Sequence, residues 1–385
     1  MSLNTLFARC RFLVFSLGAI GVLCGQLTAQ DWKTVKDGIE YAEVTRETSG
    51  LKVNMNLIRL DLTKVRLDVV HAMDAAIGTE KTSSIATRHG AFAAINAGFF
   101  RLDTSIFAGD GEGVLQIDKK VLSEAVSNRI ALLISNKNEG TSVQFEHTKL
   151  ERRIEIKKDY QNISGVNRER GKDELIEYTP VFHRTTLTSP DGVEVVVRKN
   201  KIVAIFLNQG NNIIPDDGYI LSASGSLRDN LLKLVKIGRK IDIVTLADLG
   251  MDLSSDFFTY IDADDIVGGV PQLIKNGKID ITWEQEKTTR SFVETRHPRT
   301  AVAKLKDGKF LMITVDGRSE SSGGIGLQDL AEYLLSLGAT NAMNIDGGGS
   351  TTMFLNGKVV NHPSDKEGER RVSDAILVTP RQKKH

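Results

Sequence analysis

The chain has 385 residues and only 2 cysteines, Cys10 and Cys24, both near its start. Beyond them no disulfide and no thiolate zinc site can form, so stability must come from a core that a chain of this length can build. Histidine is scarce as well. The 7 histidines show neither His-x-x-x-His nor His-Glu-x-x-His spacing, which argues against a catalytic zinc. Neither sign of charge dominates: Lys+Arg 50 against Asp+Glu 49 leaves a net +1, so no global basic field points to nucleic acid. Proline numbers 7 and forms no linker, and neither an internal repeat nor a low-complexity tract is present. Gly-x-Ser-x-Gly and Gly-x-x-x-x-Gly-Lys-Ser/Thr are both missing, which disfavours an α/β-hydrolase and a nucleotide triphosphatase.

What is present begins with a distinctive N-terminus. Arg9 and Arg11 precede an apolar run over residues 12–23, and small residues surround position 29. This is the layout of a secretory signal over residues 1–29. The run is short of the ~20 residues a membrane helix needs, and no later run is longer. Cleavage would remove both cysteines and take the net charge to −1. The expectation is a secreted or periplasmic protein of the cell envelope, without a stable membrane span and without disulfides.

Strand signals dominate the rest. Residues 53–62 and 65–70 alternate apolar and polar, residues 91–96 form an apolar run, and residues 113–122, 129–135, 193–197, 202–207 and 241–246 read as further strands. Asp307-Gly308 and Asn356-Gly357 are tight-turn pairs. Helical spacing occurs over residues 83–89, 227–237 and 327–337, the last stopped by Gly338. Residues 151–177 are charged and read as less regular. The pattern predicts an α+β fold of mixed, largely antiparallel sheets with a few packed helices. The expected organisation is a signal over 1–29, an N-terminal β region over 30–90 and one domain over 91–380.

Four strand-to-glycine junctions stand out: Asn96 in AINAGFF, Asp316 in ITVDGRS, Asp346 in NIDGGGS, and Gly268-Gly269. The last acid-rich stretch, over residues 344–374, carries most information. Gly347, Gly348 and Gly349 can turn successive N–H groups into one concavity suited to an anion, with Asp346 at its lip and Ser350 and Thr351 behind. Arg299 opens an apolar strand at Thr300, Arg318 follows Asp316 by two residues, and Arg370 follows Glu369. Guanidinium groups suit phosphate and carboxylate. Arg168 and Arg170 lie in the charged middle segment. The acidic run Asp262, Asp264 and Asp265 reads as a solvated turn in preference to a calcium loop, since it lacks EF-hand spacing.

Three stretches carry a family resemblance: RHPRTAVAKLKDGKFLMITVDGRS from Arg296, the run from GIGLQDL through NIDGGGSTTMFLNGKVVNHPSD, and GERRVSDAILV from Gly368. They resemble the phosphodiester glycosidase family, with AAINAGFF similar to its N-terminal signature and coverage over residues 90–378. The family usually has a second serine where Thr351 stands; the hydroxyl is kept.

The resemblance implies hydrolysis of a carbohydrate 1-phosphodiester to sugar and phosphomonoester. A phosphomonoester leaves readily, since its second pKa is about 6, so the demand is for charge stabilisation. Arg299, Arg318 and the Gly347–Gly349 amides are expected to supply it, with Thr300, Ser350, Thr351 and Arg370 in the binding set. Asp346 is the first choice for the carboxylate that acts as nucleophile or base, Asp316 the second, and Glu369 a reserve acid. Asn96 is expected to bind a sugar hydroxyl. The sequence establishes no cofactor, and a divalent cation stays open. Two other readings remain at this point: a non-catalytic envelope glycan-binding protein, and a metal-dependent phosphodiesterase that cuts P–O.

Overall fold

The computed structural model describes residues 30–48, 50–125, 128–248 and 263–382. The expected signal segment with both cysteines, and Asp262, lie outside them. The described residues from Trp32 onward pack as one compact unit.

Sheets dominate it. Among the described residues there are six, and nearly every strand pair is antiparallel, Gly165–Val166 with Leu175–Tyr178 being the exception. The largest has eight strands in the order Lys33–Lys36, Ile39–Thr48, Leu51–Leu60, Phe310–Val315, Arg299–Leu305, Ala339–Ile345, Gln272–Lys275, Lys278–Ile279. Its centre is apolar on both faces. Val53, Met55, Leu57, Ala301, Ala303, Leu311 and Ile313 turn to one core, and Ile58, Leu60, Val302, Phe310 and Met312 turn to another. A period of two sends alternate side chains to opposite faces, so an unbroken apolar run is what burial of both faces demands. Helix Leu327–Ser336 covers the first face with Leu327, Leu330, Ala331 and Leu334. Gly338, at φ 89°, ends that segment in the left-handed region that glycine takes freely.

A five-stranded sheet lies against the second core, in the order Lys358–Val359, Met353–Leu355, Ala93–Asn96, Asp374–Pro380, Val65–His71. Strands from residues 30–90 thus sit beside strands from the C-terminal third in both sheets. The sheet-forming tendency anticipated from the sequence holds, with strand content outweighing helix.

Two sequence expectations fail. The charged segment 151–177 is largely sheet, formed by Lys149–Ile156, Asp159–Asn162, Gly165–Val166 and Leu175–Tyr178. Its charges pair across and along the strands, as in Arg152 with Glu177 and Arg153 with Glu155. Paired charges on a strand face hide the hydrophobic alternation that sequence reading relies on. Asp265 likewise does not sit in a solvated turn. It is buried at the start of strand Asp265–Gly268, where its carboxylate accepts from the N–H groups of Val69 and Asp118 at 3.0 and 2.9 Å.

Candidate functional site

The site forms where Ala339–Ile345 and Ala93–Asn96 end side by side. Asp346 follows the first strand, and its N–H donates to Ala97 O at 2.9 Å. Asn96 Nδ2 donates to Asp346 O at 2.6 Å, while Asn96 Oδ1 accepts from Thr352 N–H at 3.1 Å and from Thr300 Oγ1 at 2.9 Å. Asn96 and Thr300 are both fully buried. Asn96 therefore fixes the backbone of Asp346 from behind, and the expected contact of Asn96 with a sugar hydroxyl is not open. Its amide brackets two strand ends, with both acceptor positions of Oδ1 and one Nδ2 donor in use. Thr351 sits in the same buried layer, with Oγ1 at 3.4 Å from Thr300 Oγ1.

The three glycines do not make an open amide nest. Gly347 N–H turns to Asp346 Oδ1 at 2.9 Å and Gly348 N–H to Pro298 O at 2.9 Å, so both donors are consumed internally. The chain enters one turn of 3-10 helix over Gly348–Ser350. The glycines matter for clearance. Gly348 has φ 59°, and a Cβ there would lie 3.1 Å from Arg318 Nη2. A Cβ on Gly349 would collide with the Asp365–Arg370 pair. The run thus lets two guanidinium groups approach the backbone closely.

Those two guanidiniums differ. Arg370 is committed to Asp365 through bidentate contacts of 2.6 and 2.9 Å. Arg318 is exposed and has no carboxylate partner among the described residues. It is the free cation of the site. Arg299 is different again. It is 2% exposed, its Nη2 donates to Phe292 O and Thr295 O at 2.6 and 2.8 Å, and its Nε donates to Ile325 O at 3.3 Å. Burial, with Arg318 nearby, pulls its pKa down to about 10. Arg299 braces the loop behind the site, and most of its donors are spent on carbonyls, contrary to the expectation of a guanidinium free for phosphate.

Asp346 itself is half-buried. Burial pushes its pKa up to about 7, and the nearby Asp374 charge adds to the rise. The Gly347 N–H, the Ser350 hydroxyl and the Arg370 charge oppose it. Ser350 Oγ approaches without reaching good hydrogen-bond geometry and is otherwise unpartnered. A carboxyl that exchanges its proton near neutrality is suited to acid–base work.

Asp316 follows strand Phe310–Val315, one strand removed from the strand that leads into Asp346. It is buried and accepts at Oδ1 from His362 N–H at 3.0 Å and from Asn361 Nδ2 at 3.2 Å. Asn361 Nδ2 also reaches Thr351 O at 3.0 Å, which ties the two acids' loops together. Burial raises the Asp316 pKa despite these donors. Glu369 does not join them. Its two oxygens accept from Ser83 N–H and Ser83 Oγ at 2.7 and 2.6 Å, at the start of helix Thr82–Arg88. It is a capping group, so its expected service as a reserve acid is not supported by its placement. Arg168 and Arg170 are also taken, by Glu124 with Glu174 and by Asp191.

Two residues not singled out from the sequence belong here. Asp374 is buried next to Asp346. Its Oδ1 accepts from Gly98 N–H at 2.5 Å, and its backbone carbonyl accepts from Ala97 N–H at 3.1 Å. It holds the turn whose Ala97 carbonyl receives Asp346. Burial raises its pKa, and the neighbouring His71 opposes the rise. His297, next to Arg299 and Arg318, has its pKa lowered by burial and by those two charges, which favours the neutral imidazole. The strand position of Asp374 made it look like core, and His297 has no motif spacing to betray it. A separate cavity of about 450 Å³, lined by Arg66, Asp68, His71, Lys120 and Asp265 among others, contains none of the expected site residues. Among the described residues, no three His, Cys, Asp or Glu side chains converge as a metal site.

With this geometry in view, similarity to known proteins is informative. Residues 191–379 match the phosphodiester glycosidase family. N-acetylglucosamine-1-phosphodiester alpha-N-acetylglucosaminidase of Bos taurus is 38% identical over 128 residues, which is 29% of this chain and 24% of that protein. The Homo sapiens protein of the same name is 31% identical over 163 residues, 40% of this chain and 30% of that one. The chain therefore spans less than a third of the length of these curated relatives. A crystal structure of a Synechocystis protein superposes with a TM-score of 0.75 at 23% identity, over 92% of this chain and 64% of the other, and establishes a shared fold. The strand-end acid Asp346, its glycine turn and Arg299, Arg318 and Arg370 all fall within the matched residues, and over this stretch the chain resembles the phosphodiester glycosidase family.

Proposed function

We propose that this chain hydrolyses a sugar-1-phosphodiester at the glycosidic C–O bond. The observation that carries the reading is one turn that bears both Asp346, a half-buried acid whose pKa burial pushes up to about 7, and Gly348, over which lies Arg318, an exposed guanidinium with no carboxylate partner among the described residues. The named activity of the relatives points to the same chemistry.

Water adds to the anomeric carbon, the bond from that carbon to the bridging oxygen breaks, and the phosphomonoester departs with that oxygen. Arg318 meets the phosphate charge at the moment it grows. Asp346 in its ionised form takes the proton from the attacking water, or attacks directly and is released by water later. Asp316, Asn96, Arg299 and Asp374 position this pair. Thr300, Thr351 and Arg370 support the turn, and Ser350 offers its unpartnered hydroxyl. The N-terminal sequence suggests that the reaction takes place in the cell envelope.

The test is hydrolysis in ¹⁸O-labelled water. Label in the released sugar supports the reading. Label in the phosphate assigns P–O cleavage instead, and binding without turnover of any sugar-1-phosphodiester would leave a glycan-binding protein. Retained activity in EDTA is expected if Arg318 and Asp346 carry the chemistry.

A further inference from the structure

A small cleft near the strand end that leads into Asp346 has an unusual property: several of its side-chain polar groups have no protein partner among the described residues. Phe99, Glu112, Arg129, Thr148 and Gly268-Gly269 line it. Thr148 is fully buried, yet its Oγ1 has no hydrogen bond. Arg129 Nε is buried without a partner too, and among the described residues Arg129 forms no ion pair with a carboxylate. Its Nη1 makes a long 3.5 Å approach to Glu112 O. The Glu112 side chain is exposed and unpaired among the described residues. Buried polar atoms normally find a partner, because leaving one alone forfeits its hydration with nothing in return. Two orphans in one cleft therefore point to a missing ligand group.

The cleft is prebuilt. Glu112 N–H donates to Phe99 O at 2.8 Å, Thr148 N–H to Arg129 O at 3.3 Å, Gly268 N–H to Val114 O at 2.8 Å and Gly269 N–H to Ile130 O at 2.8 Å. Backbone bonds thus fix all three of its walls. Both glycines allow the walls to close. A Cβ on Gly268 would meet Val114 N at 3.3 Å, and one on Gly269 would collide with Met343 and Asn344 O. The open volume, about 10 Å³, suits one water-sized group. Phe99 is half-exposed and meets Phe292 edge to face at 6.2 Å, with Phe292 in turn beneath the Arg299 guanidinium.

The cleft also adjoins the reacting centre. Phe99 follows Gly98, which Asp374 holds, and Val270 N–H donates to Asn344 O, two residues before Asp346.

We propose that this cleft is the subsite that reads the sugar ring of the substrate. An apolar face of the ring lies on Phe99, and one ring hydroxyl enters the notch, where it accepts from Arg129 Nε–H and pairs with Thr148 Oγ1. The Glu112 carboxylate accepts from a neighbouring hydroxyl. An aromatic floor with a few converging polar groups is how a site binds a small polar ring with orientation. The inference rests on reading the Asp346 site as one that takes sugar-1-phosphodiesters.

The test is an NMR titration of the whole protein with methyl glycosides of N-acetylglucosamine, glucose, galactose and mannose, and with the monodeoxy analogues of whichever binds. Loss of one particular ring hydroxyl is expected to weaken binding about tenfold, while loss of the others changes it little. Thr148→Val removes a hydroxyl that bonds nothing in the protein, so it leaves the fold intact. That variant and Arg129→Lys are expected to bind the parent glycoside as weakly as the wild type binds the critical deoxy analogue, and to lose the discrimination. Absence of binding by every glycoside overturns the subsite. So do deoxy analogues that all bind within twofold of the parent, and variants that keep the discrimination; either result would mean that the notch holds a water only. Glycoside binding with no turnover of a phosphodiester refutes the hydrolytic reading and leaves the subsite standing. Turnover without hydroxyl discrimination does the reverse.

Discussion

Asp346→Asn separates chemistry from stability in one substitution. The wild-type carboxyl moves from the ordinary 3.8 to about 7, mainly because burial penalises its charged form. A raised folded-state pKa means that the unfolded chain releases its proton first. Between about pH 4 and pH 7 the unfolded state gains ionisation free energy that the folded state does not, so folding stability falls as pH rises through that window. Three pKa units correspond to about 4 kcal/mol. Partial solvent access at Asp346 discounts this to roughly 1–3 kcal/mol. Asparagine carries no such penalty, and its side-chain oxygen can still accept from Gly347 N–H, the 2.9 Å contact made by Asp346 Oδ1.

The variant is therefore expected to lose turnover by about 10³-fold or more, the scale of a lost catalytic carboxylate. It is also expected to melt higher than the wild type at pH 8, by roughly 1–4 °C for a chain of this size, and to match it at pH 4. Calorimetric melts at the two pH values, run beside a sugar-1-phosphodiester turnover assay, check both halves. Equal melting differences at pH 4 and pH 8 would refute the raised pKa. Unchanged turnover would remove Asp346 from its role.

Two variants should move the acid limb of the pH–activity profile in opposite directions. Asp374→Asn deletes a negative charge that raises the Asp346 pKa, so half-maximal activity shifts to lower pH; Arg370→Met deletes a positive charge that lowers it, so half-maximal activity shifts to higher pH. Shifts of the same sign in both would sink the electrostatic account. Arg318→Gln is expected to raise KM for a phosphodiester about 10–100-fold with little change in Tm, because the guanidinium is exposed and bonds no carboxylate among the described residues. An unchanged KM would show that Arg318 does not meet the phosphate. Glu369→Gln is expected to keep kcat and to lower stability by about 1 kcal/mol, since the amide retains one acceptor for the two Ser83 donors. A kcat loss of 10²-fold would reinstate Glu369 as a catalytic group.

The sheet-rich architecture and the neighbourhood of the candidate chemistry are both legible along the chain. Apolar runs such as Phe310–Val315 and Ala339–Ile345 announce central strands because burial on both faces leaves no room for polar alternation. The Asp-Gly-Gly-Gly turn after the second of them stands out because no packing rule asks for it. Tertiary structure alone decided which way each group is spent. Asn96 and Arg299 look like ligand-binding residues in one dimension, but Asn96 bonds to the backbone of Asp346, 250 positions on, and Arg299 folds back on the carbonyls of Phe292, Thr295 and Ile325 in its own neighbourhood. Glu369 turned out to serve Ser83, 286 positions earlier in the chain. Asp374 was hidden in the opposite sense, as a polar residue heading an apolar strand whose negative charge matters only because Asp346 folds against it. Hydrophobic period is a local quantity and survives in the sequence. The saturation of a hydrogen-bonding group and the field acting on a carboxyl depend on contacts hundreds of residues apart, and exist only once the chain has closed on itself.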